Sequence, residues 1–128
     1  MKRYRILVVD DEQDVQFLLR LFFERQGFMV YDARNGQEAI EVAQRRRPDL
    51  ILMDIQMPRK TGIEAVQELR ADPRFAHTPI LAITAHARNY LPPDIIRAGF
   101  DHVIIKPFDF EEIQSRVDES LRYHSKQL

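Results

Sequence analysis

The chain has 128 residues, which is the length of one domain with an ordinary buried core. Apolar residues make up 45% and charged residues 30%, the balance of a soluble globular protein. A formal net charge of -1 gives no electrostatic case for nucleic acid or an acidic membrane, and the lack of cysteine excludes disulfides, thiolate chemistry and Cys-based metal sites.

Short β-type runs alternate with longer helical patterns. Residues 5–9, Arg5-Ile6-Leu7-Val8-Val9, form a β-branched run of the kind buried on both faces of a sheet. Over 12–26 the period becomes helical, with Val15, Leu18, Leu19, Phe22 and Phe23 on one stripe and Gly27 where a left-handed residue would end the helix. Residues 28–33 read as a second strand. Asn35-Gly36 reads as a turn into a helix through Gln44, closed by Arg45-Arg46-Arg47-Pro48. The third strand, 49–53, is the most apolar. A loop with Pro58 follows, then a helix over 62–70 with Ile63, Val66 and Leu69 inward. Thr78-Pro79 introduces strand four, 80–84. A loop over 85–91 leads to a short helix that begins at Pro92 or Pro93, because proline is tolerated only in a first turn, and ends by Gly99. Strand five is 102–105, and a last helix over 109–123 repeats Ile113, Val117 and Leu121.

Five strands alternating with five helices imply a doubly wound α/β domain, with parallel pairing, right-handed crossovers and helices on both faces. The chain stops after the last helix, so a single domain without an output domain is expected. The apolar runs fall short of a bilayer span and the N-terminus lacks a secretory signal, so the expected location is cytoplasmic.

Ligands of such a sheet bind beyond the carboxyl ends of the strands. Strand one ends in Asp10-Asp11, followed by Glu12; strand three ends in Asp54, strand four in Thr84, and strand five in Lys106-Pro107. Taken singly, an acidic pair before a helix is an N-cap, a threonine at a strand end is structural and Lys-Pro is a turn. Together they converge on one edge. Three carboxylates ~5 Å apart repel by roughly 3 kcal/mol per pair at an effective dielectric near ~20, so they must raise their pKa values or bind a cation. Oxygen-only ligands select a hard ion such as Mg²⁺. Carboxylate, Mg²⁺, lysine and hydroxyl together describe a site for a transferring phosphoryl group, with a carboxylate as nucleophile.

The segments Ile6-Leu7-Val8-Val9-Asp10-Asp11-Glu12, Pro48-Asp49-Leu50-Ile51-Leu52-Met53-Asp54-Ile55-Gln56-Met57-Pro58, Ile83-Thr84-Ala85 and Lys106-Pro107-Phe108 resemble, in order and spacing, the response-regulator receiver domains of two-component phosphorelay systems. The resemblance covers essentially the whole chain and is closest to the stand-alone, chemotaxis-regulator-like members. It implies a flavodoxin-like sheet of strand order 2-1-3-4-5. It makes Asp54 the phosphoacceptor, with Thr84 donating its hydroxyl to a phosphoryl oxygen and Lys106 pairing with another. Asp11, Asp54 and the main-chain carbonyl of Gln56 would ligate Mg²⁺ directly, and Asp10 through water. The Lys106–Pro107 peptide is expected to be cis. The implied partners are a histidine kinase or histidine phosphotransfer protein and a downstream protein, with no direct contact to nucleic acid or membrane. A homodimer through the face around helix four and strand five is also implied.

Val103 departs from most of the family, which carries Tyr or Phe at this position, three before the lysine, and uses that ring as a relay. A valine has no ring to move, and His102 belongs to the other face of the strand by alternation. The early prolines of helix four alter the family's usual output face. Gln56 and His86 lie two beyond the acceptor and two beyond Thr84, where the family tunes hydrolysis. The competing reading is a phosphate-independent pseudo-receiver that acts as an interaction module. A flavin- or nucleotide-binding protein of the same architecture would need a glycine- or hydroxyl-rich loop after strand one, where Asp10-Asp11-Glu12 stands.

Overall fold

The computed structural model describes residues 3–85 and 92–127. The short apolar runs fold into five parallel strands, β1 (Arg5–Val9), β2 (Met29–Ala33), β3 (Leu50–Asp54), β4 (Ile80–Thr84) and β5 (His102–Ile105). Their order is β2-β1-β3-β4-β5, as the resemblance implies. The helices are α1 (Gln13–Glu24), α2 (Gly36–Arg46), α3 (Gly62–Ala71), α4 (Pro92–Ala98) and α5 (Phe110–Gln127), with one 3₁₀ turn at Pro73–Phe75.

Alternation along each strand divides the core in two. Ile6, Val8, Leu50, Leu52, Leu81, Ile83 and Ile104 face α1 and α5, where they meet Leu19, Phe23, Ile113, Val117 and Leu121. Leu7, Val9, Ile51, Met53, Ile80 and Ala82 face α2, α3 and α4, where they meet Ala39, Val42, Val66, Leu69 and Ile95. The uninterrupted apolar runs of β1, β3 and β4 are thus explained by burial on both sides.

Helix ends differ from expectation where a side chain supplies a missing partner. Asn35 is the N-cap of α2: its Oδ1 accepts from the Glu38 N–H at 2.9 Å, so Gly36 is already helical. The helix runs on to Arg46 and closes with Arg47 at φ 48 before Pro48. Thr61 and Glu64 form a reciprocal capping box at the start of α3. β3 sits one residue later than expected because Asp49 is not a ladder residue. Its carboxylate accepts from the Arg5 N–H at 2.8 Å, and the strand reaches Asp54 instead. α1 ends as expected before Gly27, whose φ is +95. α4 begins at Pro92 and is followed by Gly99, also as expected. Residues 86–91, on which His86 and most of the expected loop before α4 fall, lie outside the described residues.

Candidate functional site

Register brings the strand ends level. Val9 aligns with Ala33 and Met53, Asp54 with Ile83, and Thr84 with Ile105. Asp10 therefore follows β1 beside the last residue of β3, and Lys106 follows β5 with its N–H on the Thr84 carbonyl at 2.8 Å. The Lys106–Pro107 peptide is cis.

At this edge Asp10, Asp54 and Thr84 are only 2%, 5% and 1% exposed. Lys106 Nζ donates to Asp10 Oδ2 at 2.9 Å, to Asp54 Oδ2 at 3.2 Å and to Glu12 Oε1 at 3.4 Å. The remaining carboxylate oxygens take backbone donors: Asp10 Oδ1 from Glu12 N–H at 2.9 Å, and Asp54 Oδ1 from Gln56 N–H at 3.2 Å. Both acids are thus oriented from two sides.

One ammonium shared among three carboxylates leaves the pocket short of positive charge. Burial pushes the Asp10 carboxyl above its ordinary value, against the Glu12 N–H and Lys106, which pull it down. Burial also raises Asp54; Lys106 opposes the shift and the neighbouring Asp10 charge adds to it. Burial works against the Lys106 ammonium, yet the Asp10 hydrogen bond and the charges of Asp54 and Asp10 hold its pKa above that of an ordinary lysine. The group therefore fits a divalent cation: its donors are all oxygen, and added positive charge would relieve the buried acids.

Oxygens of Asp10, Glu12 and Asp54 lie within 4.8 Å of one another. Asp11 is exposed and stands outside that group, and Gln56 is exposed with its N–H turned to Asp54. In sequence Glu12 is simply the residue after the acidic pair, whereas the fold makes it the third acid of the group. Its place at the lip, with a side chain 60% exposed, follows from its being the N-cap of α1 directly over Lys106. Val103 packs among the apolar residues under α3 and α4. His102 has the strand parity of Ile104, which faces α1 and α5, and lines a cavity at the β5 edge of the sheet with Arg70, Ile96, Glu119 and Ser120.

Residues 6–118 match the response regulator receiver domain, and the chain belongs to that family of two-component signalling proteins. The regulatory protein AtoC of Escherichia coli is 38% identical over 121 residues, spanning 94% of this chain and 26% of AtoC. The chain thus covers about a quarter of that relative's length. Among solved structures, the chemotaxis response regulator CheY4 of Vibrio cholerae is 28% identical with a TM-score of 0.86, over 94% of this chain and 100% of that one. The receiver domain of the sensor histidine kinase PA1611 of Pseudomonas aeruginosa was solved with a magnesium ion coordinated in its active-site cleft. It is 30% identical with a TM-score of 0.85, over 94% of this chain and 98% of that one.

Proposed function

We propose that this receiver accepts a phosphoryl group on Asp54 from the phosphohistidine of a histidine kinase or histidine phosphotransfer protein, and that Mg²⁺ is required. The observation that carries this reading is the Asp54 carboxylate, 5% exposed at the end of β3 with Oδ2 3.2 Å from Lys106 Nζ. An Asp54 oxygen attacks phosphorus while the N–P bond of the phosphohistidine breaks and its electron pair returns to the imidazole. The carboxylate becomes an acyl phosphate. Lys106 pairs with one phosphoryl oxygen and the Thr84 hydroxyl donates to another, so charge is met where it develops. In the reverse sense of the switch, water attacks phosphorus, the O–P bond to Asp54 breaks and inorganic phosphate leaves.

Asp11, Asp54 and the Gln56 carbonyl would hold Mg²⁺ directly, with Asp10 acting through water. Bound there, the ion supplies positive charge to the phosphoryl oxygens. The acyl phosphate shifts the population between two conformations and so changes affinity for a downstream protein. Partner or homodimer contacts belong to the face of α4 and β5, where Ile96 and Ile105 are exposed. Among the described residues no helix is long and apolar enough to cross a membrane. The working location of the switch is the cytoplasm.

The test is incubation with Mg²⁺ and acetyl phosphate or phosphoramidate, read by intact-mass spectrometry. One added phosphoryl group is expected, absent in Asp54→Ala. Failure of every small donor and of the cognate kinase to modify the protein would overturn the proposal and leave the pseudo-receiver, which needs no phosphate.

A further inference from the structure

Every polar atom of Asp10 has a partner. Its N–H donates to the Ala33 carbonyl at 3.1 Å, its Oδ1 accepts from Glu12 N–H at 2.9 Å, and its Oδ2 accepts from Lys106 at 2.9 Å. The main-chain carbonyl is the exception in kind, because its donor comes from a helix side chain. Gln16 Nε2, half-buried on α1, reaches that oxygen at 3.4 Å and the Ala33 carbonyl at 2.8 Å. A carboxamide nitrogen carries two protons, one for each carbonyl.

Gln16 also closes the backbone of the turn, since its own N–H donates to the Glu12 carbonyl at 3.1 Å. The N-cap residue Glu12 makes no side-chain capping bond, so the Asp10 carboxylate on the Glu12 N–H and the Gln16 amide are what hold the turn into α1. The segment between is Asp10-Asp11-Glu12, which carries most of the acidic groups of the pocket. One amide therefore fastens the end of β2, the end of β1 and the first turn of α1 to one another.

We propose that Gln16 is a positioning residue for the cation site, setting its affinity by holding the Asp10-Asp11-Glu12 turn in place. The inference rests on the reading of the acidic pocket as a metal site. Groups that orient metal ligands from outside the coordination sphere are worth about 10–100-fold in affinity, so loss of this amide is expected to weaken cation binding about tenfold.

Mn²⁺, which suits the same oxygen ligands, is the probe. Its binding to the wild-type chain, Gln16→Met and Gln16→Asn is followed by the electron paramagnetic resonance of the free ion. Met keeps the length and lacks the amide; Asn keeps the amide and lacks the reach. Both are expected to weaken Mn²⁺ about tenfold. Both are also expected to raise the Mg²⁺ concentration needed for half-maximal phosphorylation, while the rate at saturating Mg²⁺ stays within about twofold of wild type. Unchanged Mn²⁺ affinity in folded variants, with only a lower melting temperature, would assign Gln16 a merely structural part and overturn the proposal. If the wild-type chain itself binds no Mn²⁺, the metal-site reading fails first and takes this inference with it.

Discussion

Gly62 is packed against the main chain of Asp54 so closely that a Cβ on it would lie 2.4 Å from the Asp54 carbonyl oxygen and 2.9 Å from Ile55 Cα. The contact is made because the Gly62 N–H donates to the Ile55 carbonyl at 2.8 Å, folding the loop after β3 back onto the strand that carries Asp54. Both partners are backbone and neither can swing away. Gly62→Ala should therefore displace the end of β3, costing about 1–3 kcal/mol by overpacking and slowing phosphorylation at Asp54. Urea denaturation and a phosphorylation time course measure the two effects. Wild-type stability together with a wild-type rate would show that the loop gives way without moving Asp54.

The charge deficit of the pocket predicts a stability cost at neutral pH. Asp54 and Asp10 have folded-state pKa values raised above the ordinary aspartate value of 3.8, chiefly by burial. The folded protein thus holds these protons more tightly than the unfolded chain. Stability is greatest below that ordinary value and falls as pH rises through the folded pKa values. Each unit of displacement corresponds to about 1.4 kcal/mol. Asp54→Asn removes one of the two buried charges and leaves Lys106 paired with Asp10. The variant should match wild type in acid and become the more stable protein as pH climbs from the ordinary aspartate range toward neutrality. The raised pKa of Lys106 works in the other sense, adding stability that persists to alkaline pH and is lost only as the lysine deprotonates. Chemical denaturation of both proteins across the acid-to-neutral range gives the answer, and a pH-independent difference would refute the linkage.

Much of the fold was legible because burial on both faces leaves a mark within a few residues. The runs Ile6-Leu7-Val8-Val9 and Leu50-Ile51-Leu52-Met53 could be little else than inner strands. Asp54, Thr84 and Lys106 were legible for a related reason: in a parallel sheet, polar residues at strand ends share an edge wherever they fall in the chain. What escaped depended on partners far apart in sequence. Nothing near Asp49 announces that its carboxylate takes the Arg5 N–H, and nothing near Gln16 announces the Ala33 carbonyl. Asn35 and the Thr61-Gly62-Ile63-Glu64 box are cap signals written within four residues, and their side-chain oxygens take the N–H groups of Glu38 and Glu64.

Cation binding should reverse the penalty of the buried acids. Because a ligand that binds only the folded state stabilises it by an amount that grows with the logarithm of its concentration over its dissociation constant, Mg²⁺ at ten times that constant should add about 1.4 kcal/mol. For a domain of this size that is a rise of about 3–6 °C in melting temperature, removed again by a chelator. The double variant Asp10→Asn, Asp54→Asn, without the buried charges, should show no comparable rise. An equal rise in the double variant would move the binding site elsewhere on the molecule.

At the other end of the sheet, Arg70 of α3 forms a clamp. Its guanidinium donates to the carbonyls of Gly99 at 2.9 Å, Phe75 at 2.7 Å and Thr78 at 2.8 Å, and to Asp101 Oδ2 at 3.0 Å. Asp101 Oδ2 also accepts from the Ile80 N–H at 2.8 Å, so one carboxylate and one guanidinium join the starts of β4 and β5 to the end of α3. Gly99, at φ +133, leaves room for this, because a Cβ there would meet the Arg70 side chain at 2.9 Å. Charge-assisted hydrogen bonds are worth about 1.5–3 kcal/mol, and several carbonyls would lose their donor together. Arg70→Met, which keeps the apolar stem, should therefore lose about 3 kcal/mol in urea denaturation. Asp101→Asn should lose less, since the amide oxygen can still accept from Ile80. Hydrogen exchange should quicken at the Ile80 and Asp101 amides in Arg70→Met, while the phosphoryl group proposed for Asp54 should still be added by acetyl phosphate. A loss confined to a few tenths of a kcal/mol would mean that solvent satisfies the carbonyls as well as Arg70 does.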